Sequence, residues 1–318
     1  MKSYERILLT VIFLILVIFP FMMGSNSRYF VGVMILVGIY VLLAVGLDLL
    51  MGYTGQISVG HAAFFAIGAY TTGIMTTKCE WGALSALLLG IILSSGIAWL
   101  IGRAVLALKE YYLAMATLAF NEIVVTLLTG LEWLTGGGSG LRDIPAFSIF
   151  GTSLDNTTHY YYLVLGVVTL AIFVSFKIVR SPYGLTLSAI HSDEMAASHF
   201  GVNCKTYKTN VFMLVAAYAS VAGSLFSHYM GFIAPDDFGI MTSVNLLVML
   251  FLGGIGTILG PALGALFLKL LPEVTYSFHD YQLFIEGSIL VIVLVFIPRG
   301  MYGLFQDLGN AVFERRLR

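Results

Sequence analysis

Asp48, Gln56, Ser58 and His61 put a carboxylate, an amide, a hydroxyl and an imidazole within one otherwise apolar, glycine-rich stretch running from Gly46 to Tyr70. A helix broken at membrane depth exposes backbone groups that hydrocarbon cannot satisfy. Such breaks persist mainly where they line a cavity or a pathway. The chemistry these residues imply is passage of a polar solute rather than bond making. Other apparent motifs are weaker. Gly137-Gly-Ser139-Gly140 fits a G-x-S-G pattern, but it falls in an outer loop with no histidine assigned to Ser139. Gly254, Gly256 and Gly260 miss the dinucleotide spacing and have no βαβ setting. There is no H-E-x-x-H and no G-x-x-x-x-G-K-[ST]. No catalytic residue, metal site or cofactor is therefore expected, and the chain does not cradle ATP phosphates by that route. Its energy comes from a partner or from an ion gradient.

The elements that position these residues are membrane spans. Of 318 residues 59% are apolar and only 10% charged, with a mean hydropathy of +0.94; a soluble domain carries roughly 25% charged residues. No basic run interleaves with aromatics, so nucleic acid is not a partner. The apolar pattern predicts an all-α, polytopic helix bundle, a single permease domain over 1–318, with about ten transmembrane or re-entrant helices. The segments are 7–23, 30–50, 61–77, 82–101, 111–130, 160–178, 209–229, 240–254, 257–272 and 281–298. The first reads as an uncleaved span, because it is longer than a signal-peptide core and lacks a small-x-small cleavage site. The pair 240–272 either crosses twice or re-enters.

Basic residues set the orientation. With the N-terminus inside, Lys2, Arg6, Arg103, Lys109, Lys177, Arg180, Lys205, Lys208, Arg299, Arg315, Arg316 and Arg318 are cytoplasmic. Only Arg28, Lys78, Arg142 and Lys269 of the 16 lie outside, so both termini are expected in the cytoplasm. Cys79 and Cys204 then fall on opposite faces and are not expected to form a disulfide. Two loops are long, an outer one at 131–159 and a cytoplasmic one at 180–208. In the latter Ser192 is expected to cap a helix of roughly nine residues that starts with Asp193 and Glu194 and stops at Gly201. Its small residues, Ala196, Ala197 and Ser198, would let another surface approach closely.

Glu194-x-Ala196-Ala197-x-x-x-Gly201 resembles the loop by which ABC importer permeases dock into their ATPase subunits. Arg180-Ser-Pro-Tyr-Gly-Leu185, Gly52-Tyr-Thr-Gly-Gln-Ile-Ser-Val-Gly-His-Ala-Ala-Phe64, Leu134 to Pro145, His228 to Pro235 and Leu252 to Pro261 are similar, in order, to motifs of branched-chain amino acid permeases. The chain is identified as resembling the LivM-type permease subunits of branched-chain amino acid ABC importers. It departs from them at Asp48, where asparagine is commoner, at Asn121, where a small residue is commoner, and at His191, where arginine is usual. The first two departures leave the substrate open.

The resemblance implies a non-enzymatic subunit of a bacterial inner-membrane importer. Its partners would be a homologous second permease, two cytoplasmic ATPases and an extracytoplasmic substrate-binding protein. The substrate would be leucine, isoleucine, valine or a similar small amino acid or amide. Coupling falls to Glu194, Ala196, Ala197 and Gly201. Gly52, Gly55, Gln56, Ser58, Gly60 and His61 read as path-lining or gating residues. The second glycine-rich break, 253–261, fits a pathway and close helix packing equally well. Asp48 and Glu122 read as structural anchors, and His228 as a cap or packing residue. The rival reading is a stand-alone ion-coupled transporter of a small polar solute. It would use Asp48, Glu122 and Glu286, and would not need the 180–208 loop.

Overall fold

A computed structural model describes residues 3–22, 27–106, 108, 110–149, 152–276, 281–296 and 300–304. Apolar runs become helices because hydrocarbon offers the backbone no other hydrogen-bond partner. In chain order they are α1 (Ser3–Met22), α2 (Ser27–Thr54), α3 (His61–Lys78), α4 (Ala83–Val105), α5 (Glu110–Gly130), α6 (Glu132–Thr135), α7 (Thr157–Val179), α8 (Pro182–Ser192), α9 (Glu194–His199), α10 (Cys204–Met230), α11 (Ile240–Gly253), α12 (Gly260–Thr275) and α13 (Gln282–Phe296).

Among the described residues six segments are long and apolar enough to cross a membrane: Arg28–Thr54, Ala83–Val105, Tyr111–Gly130, Thr157–Val179, Cys204–Met230 and Pro235–Gly253. The chain is a multi-pass membrane protein. The ten-segment expectation is met only to that extent. α3 carries His61 and four threonines, and α12 and α13 are 16 and 15 residues long, short of the about 20 that a crossing takes. Lys2, Lys109, Arg299, Arg315, Arg316 and Arg318, which enter the charge argument, lie outside the described residues, as does the side chain of Glu286.

α2 and α10 form the centre. Their spanning windows are 67% and 72% buried, against 22% for α4, α5 and α7. α10 packs on α2, α3 and α4, α7 packs on α2, and the α11–α12 hairpin leans on α2. The α3–α10 contact is backbone to backbone, since a Cβ on Gly223 would sit 2.6 Å from the Ala69 nitrogen. Gly223→Val is expected to cost about 1–3 kcal/mol through overpacking. Thermal melting of the solubilised protein checks this.

The 131–159 loop is folded. It contains α6, a 3₁₀ turn at Gly137–Ser139 and a pair of two-residue strands, β1 (Ser148–Ile149) and β2 (Thr152–Ser153). These pair antiparallel with Ser148 opposite Ser153. This pair is the one departure from an all-α chain among the described elements. Leu141 and Ile233 exchange backbone hydrogen bonds of 2.8 and 3.1 Å, and the Ile144 N–H donates to the Gly231 carbonyl at 3.1 Å. The loop is thereby clamped to the turn after α10. His228 belongs to the clamp: its Nδ1 lies 2.7 Å from the Pro145 carbonyl, and its ring stands edge-on to Phe147.

Candidate functional site

α2 ends where its sequence runs out of helix formers. Gly55 takes the left-handed conformation (φ +69°) and its N–H donates to the Met51 carbonyl at 3.2 Å, a glycine stop of the αL kind. Residues 55–60 then run back alongside α2. They bring His61 back level with Gly46, where an added Cβ would lie 3.8 Å from His61 Nε2. The break is a re-entrant strap whose far end sits well inside the bundle.

Two other helices grip this strap. The Val59 N–H donates to Thr117 Oγ1 of α5 at 3.0 Å, and Gly60 lies against the backbone of Thr117. The Ala62 N–H donates to Ser243 Oγ of α11 at 3.2 Å. That bond supplies the cap that Gly60, with no side chain, cannot give α3. Gln56, Ser58 and His61 are all buried. Gln56 Oε1 accepts from Thr54 Oγ1 at 3.4 Å, while Gln56 Nε2 and His61 Nε2 have no partner.

The two glycine breaks meet. Asp48 Oδ1 accepts the Gly256 N–H at 2.7 Å, and a Cβ on Gly52 would lie 2.5 Å from that nitrogen and 2.8 Å from the Gly256 Cα. Asp48 Oδ2 is buried and unpaired. Asp48 therefore ties one break to the other, as its reading as an anchor expected. At the same junction His191, the penultimate residue of α8, places Nδ1 3.1 Å from the Gly52 carbonyl, and its ring fills the space over Gly55. Sequence reasoning missed this contact. The one signal was that His191 departs from the motif of its loop.

The 180–208 segment is built of two helices rather than one. Ser192 does not cap: its Oγ donates to the Ser188 carbonyl at 3.0 Å, and it closes α8. Asp193 is extended and is itself the cap, its Oδ1 accepting the Ala196 N–H at 3.0 Å. α9 is consequently six residues long. Gly201 (φ +83°) ends it as expected, with Gly201 N–H to Ser198 O at 3.0 Å and Val202 N–H to Ala197 O at 3.2 Å, the double bond pattern of a Schellman stop.

Of the four expected coupling residues, Ala197 is buried against Ile190 and Cys204, and Ala196 is exposed. Glu194 forms a 2.6 Å ion pair with the buried Lys208 of α10. The outward knobs of the loop are Met195 and Phe200, the latter 90% exposed. Glu194→Ala leaves Lys208 without its partner, at a cost of about 1–2 kcal/mol after solvent screening. It is expected to speed amide exchange across 194–199, and Glu194→Ala with Lys208→Met restores slow exchange.

Elsewhere, the Asn121 amide donates to the Phe238 carbonyl at 3.2 Å. Its neighbour Glu122 points out of the bundle, so the anchoring role given to Glu122 belongs to Asn121. Cys79 is exposed and Cys204 buried, and neither is in a disulfide.

Crossing helices, two glycine breaks locked together and a paired-helix loop resting on the lock define a membrane transport permease. The family model described as branched-chain amino acid transport system / permease component matches residues 29–294, and the chain belongs to that family. It is 31% identical over 320 residues to the high-affinity branched-chain amino acid transport system permease protein LivM of Salmonella typhimurium, covering 93% of this chain and 75% of that one. The LivH permease protein of the same organism is 25% identical, over 83% of this chain and 91% of its own. The autoinducer 2 import system permease protein LsrC of Salmonella paratyphi B is 27% identical, over 87% and 80%. No solved structure matches the chain.

Proposed function

We propose that this chain is the LivM-type permease subunit of an ATP-driven importer that carries branched-chain or similar small amino acids across a bacterial inner membrane. Its likeness to LivM is higher and more extensive than its likeness to LsrC, 31% over 93% of the chain against 27% over 87%, which favours amino acids. LivM and LivH carry the name of one transport system and this chain matches both. That supports a homologous second permease beside it. Two cytoplasmic ATPases and an extracytoplasmic binding protein complete the assembly. The single permease domain 1–318 has both termini in the cytoplasm and about ten transmembrane or re-entrant helices, the pair 240–272 either crossing twice or re-entering.

The observation that carries the mechanism is the contact of the 180–208 loop with the break. ATPases closing on Ala196, Met195 and Phe200 would press α8 and α9. His191 passes that push to Gly52 and Gly55, and residues 55–60 pass it to α5 and α11. Gly52, Gly55, Gln56, Ser58, Gly60 and His61 act as the gate of the path, a buried strap whose release opens it. A stand-alone ion-coupled transporter fits less well, because Asp48, its best mid-span acid, spends one oxygen on the Gly256 amide.

Affinity capture of the gently solubilised chain, with mass spectrometry of the proteins that co-purify, tests the assembly. A second permease with one or two ATPases is expected, and ATP-dependent leucine uptake by the reconstituted complex. A chain recovered alone overturns this reading. Glu194→Ala and Gly201→Val should each weaken ATPase capture while the chain stays in the membrane.

A further inference from the structure

One row of α5 leaves the bundle. Met115, Ala119, Glu122, Thr126 and Thr129, spaced three or four residues apart, are all exposed. Leu113, Thr117, Asn121 and Val124 on the other side are buried. α5 meets the length and hydropathy of a membrane crossing, and Glu122 lies eight residues before its end at Gly130, about 12 Å along the axis. Among the described residues Glu122 makes no ion pair; the one present is Lys208–Glu194.

A carboxylate at that depth faces hydrocarbon only at high cost, and such groups line bundle interiors or water-filled cavities. A second element lies against the buried side of α5. The Asn121–Phe238 hydrogen bond holds the turn carrying exposed Asp236 and Asp237 beside this part of α5, and α11 continues from it with exposed Asn245. α4 shows what a hydrocarbon face looks like in this chain: Leu88, Ile92 and Leu100.

We propose that the α5 face centred on Glu122 is one wall of the water-filled passage, closed on its far side by the second permease, and that the Glu122 carboxylate receives the ammonium group of the solute in transit. This rests on the importer reading above. Thr117, five residues before Glu122, holds the Val59 N–H, so release of the strap also shifts this wall.

The test uses the whole complex in proteoliposomes, with Cys79→Ser removing the exposed thiol. Glu122→Cys, Thr126→Cys and Thr129→Cys are expected to react with a water-borne cationic methanethiosulfonate, and leucine is expected to slow the reaction. Ile123→Cys and Leu127→Cys, on the adjoining apolar row, stay unreactive. Glu122→Gln should cut leucine uptake by about tenfold and erase the preference of Thr126→Cys for cationic over anionic reagent, with capture of the second permease unchanged. An unreactive row, or full uptake by Glu122→Gln, overturns the proposal. So does loss of the second permease on Glu122→Gln, which would make Glu122 an interface residue. Uptake that needs no ATP overturns the importer reading instead, and the labelling pattern still decides whether α5 lines a passage.

Discussion

Gly52→Ala is expected to abolish transport and to lower the stability of the solubilised protein by about 1–3 kcal/mol or more. The added methyl would meet the backbone of Gly256, at 2.5 Å from its nitrogen and 2.8 Å from its Cα, together with Asp48 Oδ1. Backbone on one side and a hydrogen-bonded carboxylate on the other leave it no rotamer to escape into. The two breaks must separate, and the bond from the Gly256 N–H to Asp48 breaks with them. Asp48 variants separate the steric effect from the loss of that bond. Asp48→Leu strands the Gly256 N–H, costing about 1–3 kcal/mol. Asp48→Asn keeps the acceptor and replaces the unpaired buried oxygen with an amide nitrogen, so it should match or exceed the parent protein. Melting curves and leucine uptake read all three variants. Gly52→Ala at parental uptake would show that the breaks do not need their close contact.

The contrast between Gly52 and Glu122 shows what the sequence could and could not disclose. Glycines amid leucines mark an interruption wherever they fall, so the strap at 55–60 and the stop at Gly201 were legible, because both depend on local backbone conformation. Legible too was the anchoring nature of Asp48, though its partner, Gly256, lies 208 residues on and no periodicity points to it. The Leu141–Ile233 bridge joins two recognisable motifs for which spacing offers no hint of pairing. Helix facing was hidden for a different reason. Where a helix is apolar nearly all round, the 3.6-residue period does not say which side is core, and α5 gave no sign that Asn121 goes in and Glu122 out. The Ser192 cap failed on a competition of near equals. Ser192 and Asp193 both cap well, and the outcome went to Asp193 because α8 extends far enough to use the Ser192 hydroxyl.

His191→Ala should uncouple ATP hydrolysis from uptake without detaching the ATPases. The imidazole sits at the end of α8, outside the apolar packing of Ile190, Ala197 and Cys204 that holds α8 to α9, so its loss leaves the docking surface in place. What disappears is the 3.1 Å contact to the Gly52 carbonyl and the ring over Gly55. A carbonyl only accepts, so Nδ1 carries the proton in this contact. A push on α9 then reaches α8 but no longer reaches the strap. Leucine carried per ATP is expected to fall about tenfold, the scale of one lost hydrogen bond with its packing. His191→Asn is the informative companion, because its Nδ2 can stand where the imidazole Nδ1 stood and donate to the same carbonyl. It should recover part of the coupling while lacking the bulk over Gly55. ATPase capture, hydrolysis rate and uptake measured on one preparation separate the cases. Loss of capture in His191→Ala would make the histidine a docking residue, and unchanged leucine per ATP would mean that the loop drives the gate through some other contact.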